Sequence, residues 1–574
     1  MLASIALVGC TNEELIENPN DPQNEGKSTS YVSVKLLMAE SNKGRAASDG
    51  GYAQDEQISA EQTINTEKTI FLFYDGDGNY VTFGSLVDGY TLGNNEEGTH
   101  HANKDINSIY GDKFIALSAS EDAVKNIDKV LTVANYHNIG LLKNKPLTEV
   151  LDMVADNTDN KADARGESEN FLMTTSVYLD GENWVETTAI DDENICATQT
   201  EAYNNPVMIY IERAAAKVQL ISGKEDKSWI FDVEPSSENE KDDPNTEADV
   251  VVDGVLTPAK VEILGWTLNN YNLETNLVKR YATDWSENAP YTGWNNPGDH
   301  RSYWAMDKDY GYQGSPTITS LTEHQATLTT KSFSNALTVS DNGDDKNRTN
   351  VFDIMYCYEH AKASGHDNVS EKRESIVEFP NVTTVLIAGQ VLLNDATEGE
   401  TLYKYNGVYY RAAAYKSMVA SFLRKYNKTT ENGTAIMEEA DWTITLAEKE
   451  ENKDFTFGIT IAANAELADE ADIEEINEEI ATMYVENTEV LTDGYCYYQI
   501  PIEHLTSTTN APLYGVIRNH WYQLKINAVA HVGEPVGDPD QPLPEIPTKE
   551  TAYYLAAELH VLNWHVVNQD VTLE

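Results

Sequence analysis

The segment YVSVKLLM alternates apolar and polar side chains, with Val32, Val34, Leu36 and Met38 on one face. That is the period-2 pattern of an extended strand with one side buried. Behind it comes AESNKGRAASDGGYAQDEQ, polar and rich in Gly and Ser, with Arg45 in its middle, which reads as an exposed loop open to proteolysis. Further strands are expected at TIFLFYD (69–75), KFIALSA (113–119), KVLTVANYH (129–137), NFLMTTSVYL (170–179) and VMIYIERAAAKVQLIS (207–222). Their β-branched and aromatic content, punctuated by Gly, Asn and Asp, argues for sheets. Helical periodicity is confined to three places. LTEVLDMVAD (147–156) carries it, and YKSMVASFLRKYNK (415–428) puts Met418, Phe422 and Tyr426 on one side. The acidic ADEADIEEINEEIATMY is expected as a solvated surface helix.

Strands resume in the second half with KVEILGWTLNN, TTVLIAGQVLL, YKYNGVYY, DWTITLAE and HWYQLKINAVAHV. Two acidic, Pro-containing stretches interrupt the order. EPSSENEKDDPNTEAD (234–249) reads as an interdomain linker or long loop, and GEPVGDPDQPLPEIPTKET (533–551) as a semi-rigid spacer, because Pro fixes φ and extends the chain. Beyond the spacer LHVLNWHVVNQDVTLE alternates again. Leu562, Trp564 and Val566 share a face, and Val567, Gln569, Val571 and Leu573 follow in shifted phase, as two short strands joined by a bulge would. Such a tail either completes its own sheet or pairs with another molecule, and a spacer in front of it permits the second.

Composition narrows the possibilities. With 574 residues, 40% of them hydrophobic, the chain is long enough for two or more domains with their own cores. Its 95 acidic residues against 40 Lys and Arg give a formal charge of -55, which repels phosphate and excludes sequence-independent nucleic-acid binding. The chain opens on MLASIALVGC, where a short apolar run leads to Leu7-Val8-Gly9-Cys10, the lipobox pattern in which the Cys thiol is acylated. No basic residue precedes that run, as a start codon placed too late would produce. No other segment approaches the ~20 apolar residues of a membrane span. Cys196, Cys357 and Cys496 form no CxxC pair and support neither a zinc site nor a disulfide scaffold.

Catalytic chemistry is thin. Asp75, Asp77 and Asn79 in DGDGNY have calcium-loop spacing, but Tyr80 and Leu86 stand where that loop needs Gly and Glu, so a hairpin turn is expected instead. His100 and His101 are adjacent in a polar loop. No nucleophile elbow, P-loop or HExxH is present, and LPEIP (543–547) lacks the rest of a sortase signal. No catalytic residue, metal ligand or cofactor is assigned, and an enzyme is not expected. YTGWNNPGDHRSYWAMD could form a sugar-binding platform, although such rings more often pack into a core.

The segments IERAAAKVQL (211–220), GWTLNN (265–270), HRSYWAMD (300–307), IMYCYEH (354–360), YKYNGVYY (403–410), YGVIRNHWYQLKINAV (514–529) and VLNWHVVNQDV (561–571) together resemble the fimbrillins of Bacteroidales. The likeness is to the Mfa-type subunits of type V pili in particular. It implies a mainly β fold of two β-sandwich domains with transthyretin-like topology and a few short helices. It divides the chain into a signal peptide (1–9), a lipidated propeptide with a removable strand (10–45), an N-terminal sandwich (46–250), a C-terminal sandwich (251–532), the spacer (533–551) and a donor segment (552–574).

The resemblance also implies a function. Such subunits are exported as lipoproteins to the outer membrane and cut after an Arg by a trypsin-like protease. Cleavage removes the first strand and opens a groove that a neighbour's C-terminal strand fills, giving extracellular fimbriae used in adhesion, auto-aggregation and biofilm. Carried onto this chain, Cys10 is the lipidation site, Arg45-Ala46 the scissile bond, and Val32, Val34, Leu36 and Met38 the inward face of the removed strand. Leu559, Val561, Leu562, Trp564, Val566, Val571 and Leu573 belong to the donor. The partners implied are other copies of the chain, anchor and tip subunits, the Arg-specific protease and a host or bacterial surface receptor. An accessory, tip or anchor subunit of the same pilus is the alternative, and a glycan-binding surface lipoprotein a more distant one.

Overall fold

The computed structural model describes residues 29–38, 64–88, 108–156, 171–181, 183–233, 249–281, 305–306, 308, 328–329, 332–336, 354–360, 383–429, 431, 442–447, 455–464, 467–468, 471–502, 504, 515–541 and 565–573. Its architecture is mainly β, two sandwich units with few short helices.

The N-terminal unit is built from β1 (Thr29–Met38), β2 (Ile70–Tyr74), β3 (Tyr80–Asp88), β4 (Ser108–Ser118), β5 (Lys129–Ala134), β6 (Met173–Thr175) and β7 (Val207–Arg213). Neighbours run β5-β2-β3-β4-β1-β7-β6, and β6 also pairs with β5, so the sheet closes on itself. Inside the closed sheet lie Val32, Val34, Phe71, Phe73, Ile115, Leu117, Val130, Ile209 and Ile211. The alternate residues Ile70, Leu72, Tyr74, Leu131 and Val133 point the other way, into a second cluster with Leu147, Val150, Leu151, Leu277 and Val278. A strand covered on both faces needs apolar residues at every position, which accounts for the unbroken run IFLFY.

At Ala214 the chain changes sheets. β8 (Ala215–Ser222) pairs with β10 (Met355–Tyr358) and, in parallel, with β13 (His520–Val529). Opposite them lies a nine-stranded sheet centred on β9 (Val255–Asn269), β11 (Thr384–Leu393) and β12 (Tyr495–Pro501). Ala216, Val218, Leu220, Cys357, Tyr522, Leu524 and Ile526 meet Val261, Ile263, Val385, Ile387, Cys496 and Tyr498 between the two sheets, a sandwich core. The strand Ala215–Ser222 thus pairs with strands from the second half of the chain. The single expected strand 207–222 is two strands serving two units, because Ala214 is where hydrogen bonding passes from β6 to β13.

The helices differ from expectation in a consistent way. In LTEVLDMVAD only Leu147–Leu151 is helical, and Val154–Asp156 leaves the helix to pair with Glu274–Asn276. α1 (Ala412–Leu423) buries Tyr415, Val419 and Leu423. The expected stripe of Met418, Phe422 and Tyr426 is one residue out of phase and only partly covered. The acidic helix α2 (Ile473–Ile480) is a surface helix, yet Ile476 and Ile480 are buried against that same cluster. The hairpin before α1 turns at Asn406-Gly407, with φ of 50° and 77°, the left-handed pair that a two-residue β-turn requires. The start of the expected spacer is not free either. Glu534–Pro535 pairs with β12, where an edge position tolerates Pro, and the carboxylate of Asp538 accepts from Phe455 N.

Candidate functional site

β1 alternates because one of its faces is core. It runs antiparallel to β4 and parallel to β7, with Val32 opposite Ile115, and Val34 opposite Lys113 on one side and Val207 on the other. A strand paired on both sides is central, not an edge. Val32 and Val34 are completely buried, and the cluster around them contains Ile115, Leu117, Val207, Ile209 and Ile211. Leu36 and Met38 stand opposite Ile209 and Ile211 in the backbone register, past an irregularity in the β4 pairing after Val34. If β1 left, β4 and β7 would each present a row of unpaired N–H and C=O groups flanking an apolar slot.

The C-terminal strand β14 (His565–Leu573) lies in the other unit. It pairs in parallel with β13 along its length, from His520 opposite His565 to Val529 opposite Leu573, and it is the last strand of the four-stranded sheet. The expected bulge within the tail is not there. The extra residue is Asn527 in β13, which falls between the Ile526–Val571 and Ala528–Thr572 pairs, so the tail segment is one strand. Val566, Val571 and Leu573 thus stand on the chain's own sheet. Cys10, Arg45, Ala46, Leu559, Val561, Leu562 and Trp564 lie outside the described residues, as do His100 and His101.

The two units are joined by charges that strand periodicity did not identify. Glu212 and Arg213 sit at the end of β7 inside an otherwise apolar run, and that incongruity is the signal. Lys279 Nζ reaches Glu212 Oε2 at 2.9 Å, with both side chains buried. Arg518 Nη2 donates to Glu359 Oε2 at 2.8 Å and to the Asn276 carbonyl at 2.6 Å, and Arg213 Nη1 donates to Asn519 Oδ1 at 3.1 Å. Burial pulls the Lys279 ammonium below its ordinary pKa, against the opposing pull of Glu212 and Glu359. Buried pairs of this kind add little net stability, but losing one partner strands a charge, so Lys279–Glu212 holds the units in a single arrangement and Arg518–Glu359 does the same for elements within the second unit.

Asp75 to Asn79 form the hairpin turn between β2 and β3. Asp75 Oδ1 accepts from Asp77 N at 3.0 Å and Asn79 N at 2.8 Å, and Oδ2 accepts from Asn79 Nδ2 at 2.9 Å. These bonds, that from the Asn79 side chain first, hold the Asp75 carboxyl below its ordinary pKa. The carboxylate is thus engaged by its own turn. Among the described residues no three His, Cys, Asp or Glu gather closely enough to hold a metal ion, and no helix is long and apolar enough to cross a membrane.

Residues 489–570 match the family described as the C-terminal region of fimbrillin, the major fimbrial subunit protein type IV. The matched span includes β12, β13 and most of β14. No curated protein matches the chain. Several solved structures are similar at low identity, three of them as follows. One, a cell adhesion protein from Parabacteroides distasonis, is 11% identical, with 64% of this chain and 76% of that one covered and a TM-score of 0.29. Another, a cell adhesion protein from Bacteroides eggerthii, is 11% identical over 96% of this chain and 98% of its own, with a TM-score of 0.30. The tip fimbrial protein Mfa3 from Porphyromonas gingivalis is 9% identical over 75% of this chain and 99% of its own, with a TM-score of 0.26.

Proposed function

We propose that this chain, which its C-terminal region makes a member of the fimbrillin family of structural fimbrial subunits, polymerises head to tail by protease-triggered strand exchange. The observation that carries the reading is β1: a strand placed centrally in a closed sheet, with Val32 and Val34 wholly buried, shortly before Arg45 in a polar, Gly- and Ser-rich stretch of sequence. Cutting after Arg45 frees β1 to leave. The slot it vacates exposes Ile115, Leu117, Val207, Ile209 and Ile211 together with two open strand edges. A strand from a second subunit satisfies both, and each refilled Val-sized position contributes about 1.5–3 kcal/mol. The donor is the tail 552–574. Because slot and tail belong to different units of one molecule, the contact is heterologous and extends into a filament rather than closing a dimer.

Lipidation at Cys10 would carry the precursor to the outer membrane, and removal of residues up to Arg45 would release the mature form into surface fimbriae that meet other subunits and an adhesion receptor. A terminal position in the fimbria, tip or anchor, is the second reading. It is favoured by the pairing of β14 with its own sheet, which a subunit with no following neighbour would retain.

Limited digestion with an Arg-specific protease tests the proposal and spares the tail, which has no Arg after Arg518. The expected result is conversion of monomer to ladders and filaments in gel filtration and electron microscopy, with Ala46 as the new N-terminus by mass spectrometry. Cut protein that stays monomeric, together with surface fibres that survive deletion of residues 552–574, would overturn it.

A further inference from the structure

The tail strand has a place in the uncut subunit. β14 forms a parallel ladder with β13 at the end of the four-stranded sheet, and among the described residues it is bonded on one side only. β1 in the N-terminal unit is placed differently, between two strands. We propose that the edge of β13 is a holding site for the tail, and that assembly is a competition between this edge and the slot left by β1 in a neighbouring subunit. The inference rests on the strand-exchange reading and adds how exchange is kept from starting early.

The physical terms order the two sites. The holding site is intramolecular, so the tail sees it at an effective concentration far above that of any neighbour. It is also weak: parallel pairing is the less stable kind, and one partner strand supplies half the backbone bonds that two supply. The slot is intermolecular, yet it offers β4 and β7 together and an enclosed apolar floor. Before cleavage β1 fills every slot and the edge of β13 has no competitor. After cleavage a doubly bonded, buried site competes with a singly bonded one. Reach is no obstacle, since residues 542–573 extended span roughly 100 Å. Holding the tail also covers the edge of β13, which would otherwise present its N–H and C=O groups to any passing strand.

Two measurements test this. Hydrogen–deuterium exchange on the uncut protein compares the full chain with one ending at residue 564. Peptides covering His520–Val529 should exchange at least tenfold faster in the truncated form, while those from β8 stay within twofold. Equal protection of β13 in both overturns the holding site, whatever the protein does after cleavage.

The second measurement locks the tail. Lys525 stands opposite Asp570 in the ladder, so Lys525→Cys with Asp570→Cys, in a Cys196→Ser background, should close a disulfide in the uncut monomer. After Arg-specific cleavage the oxidised protein should polymerise at least tenfold more slowly than the same protein in dithiothreitol. Failure to crosslink, or equal rates in both states, refutes the competition. If the unlocked, cut protein never polymerises, it is the strand-exchange reading that falls.

Discussion

Cys357 and Cys496 face the core between the two C-terminal sheets, and burial pushes both thiols up to about 12. Tyr415, in the core beneath α1, is likewise pushed up to about 12 by burial. An acid whose pKa is higher folded than unfolded keeps its proton longer in the native state. Its stabilisation is therefore whole below the unfolded value, 9.0 for the thiols and 10.0 for Tyr415, and is lost as pH rises toward 12. Urea midpoints followed by circular dichroism should accordingly fall between pH 9 and pH 12. Cys357→Ala should make that decline shallower, and an unchanged slope would show that the thiol does not contribute. Burial at these positions was not legible in the sequence. Cys496 sits in YCYYQI among residues that all read as strand, and only the packing of β12 against β8 and β13 shows which alternate positions face the core.

At the scale of the element, β1 is the test piece. Its alternation was legible because strand periodicity is local, but the alternation says nothing of how many neighbours the strand has. That depends on β4 and β7, which lie far along the chain and are brought together by register. Val34→Asp puts a carboxylate at a completely buried position flanked by Val207 and Lys113. The cost should be at least about 3 kcal/mol, because a charge is desolvated in an apolar cluster. Unfolding of the uncut protein, followed by Trp184 fluorescence in the N-terminal unit with the other tryptophans replaced by Phe, measures it. A loss below about 1 kcal/mol would mean that β1 does not complete that core. The helices teach the converse lesson. LTEVLDMVAD has a helical period throughout, but the strand Glu274–Asn276 offers Val154–Asp156 a ladder, and tertiary pairing ends the helix at Leu151.

For the whole molecule the dominant quantity is charge. The whole chain carries a formal -55, so bringing two copies together, as the proposed strand exchange requires, works against long-range repulsion. Screening shortens that repulsion to about 8 Å at physiological ionic strength and about 3 Å at 1 M. Polymerisation after cleavage should therefore speed up, roughly tenfold between 20 mM and 500 mM NaCl, when light scattering follows it. A rate that falls with salt would show that complementary charges steer the encounter instead. Between the two units the buried pair Lys279–Glu212 and the Arg213–Asn519 hydrogen bond fix one arrangement, whereas Arg518–Glu359 ties elements within the second unit.

The sequence by itself determined what is local: the alternation of β1, the Asn406-Gly407 turn, the strand character of the tail and the acidity of the chain. Family likeness added the expectation of a two-sandwich fimbrial subunit. Tertiary structure alone decided what depends on partners distant in the chain. It made β1 a central strand, named Ile115, Leu117, Val207, Ile209 and Ile211 as the walls of its site, moved the change of sheet to Ala214, and set β14 on the edge of β13. The reason is the same in each case. A side chain's period is written in its own neighbours, whereas the strand it pairs with is chosen by the closing of the sheet.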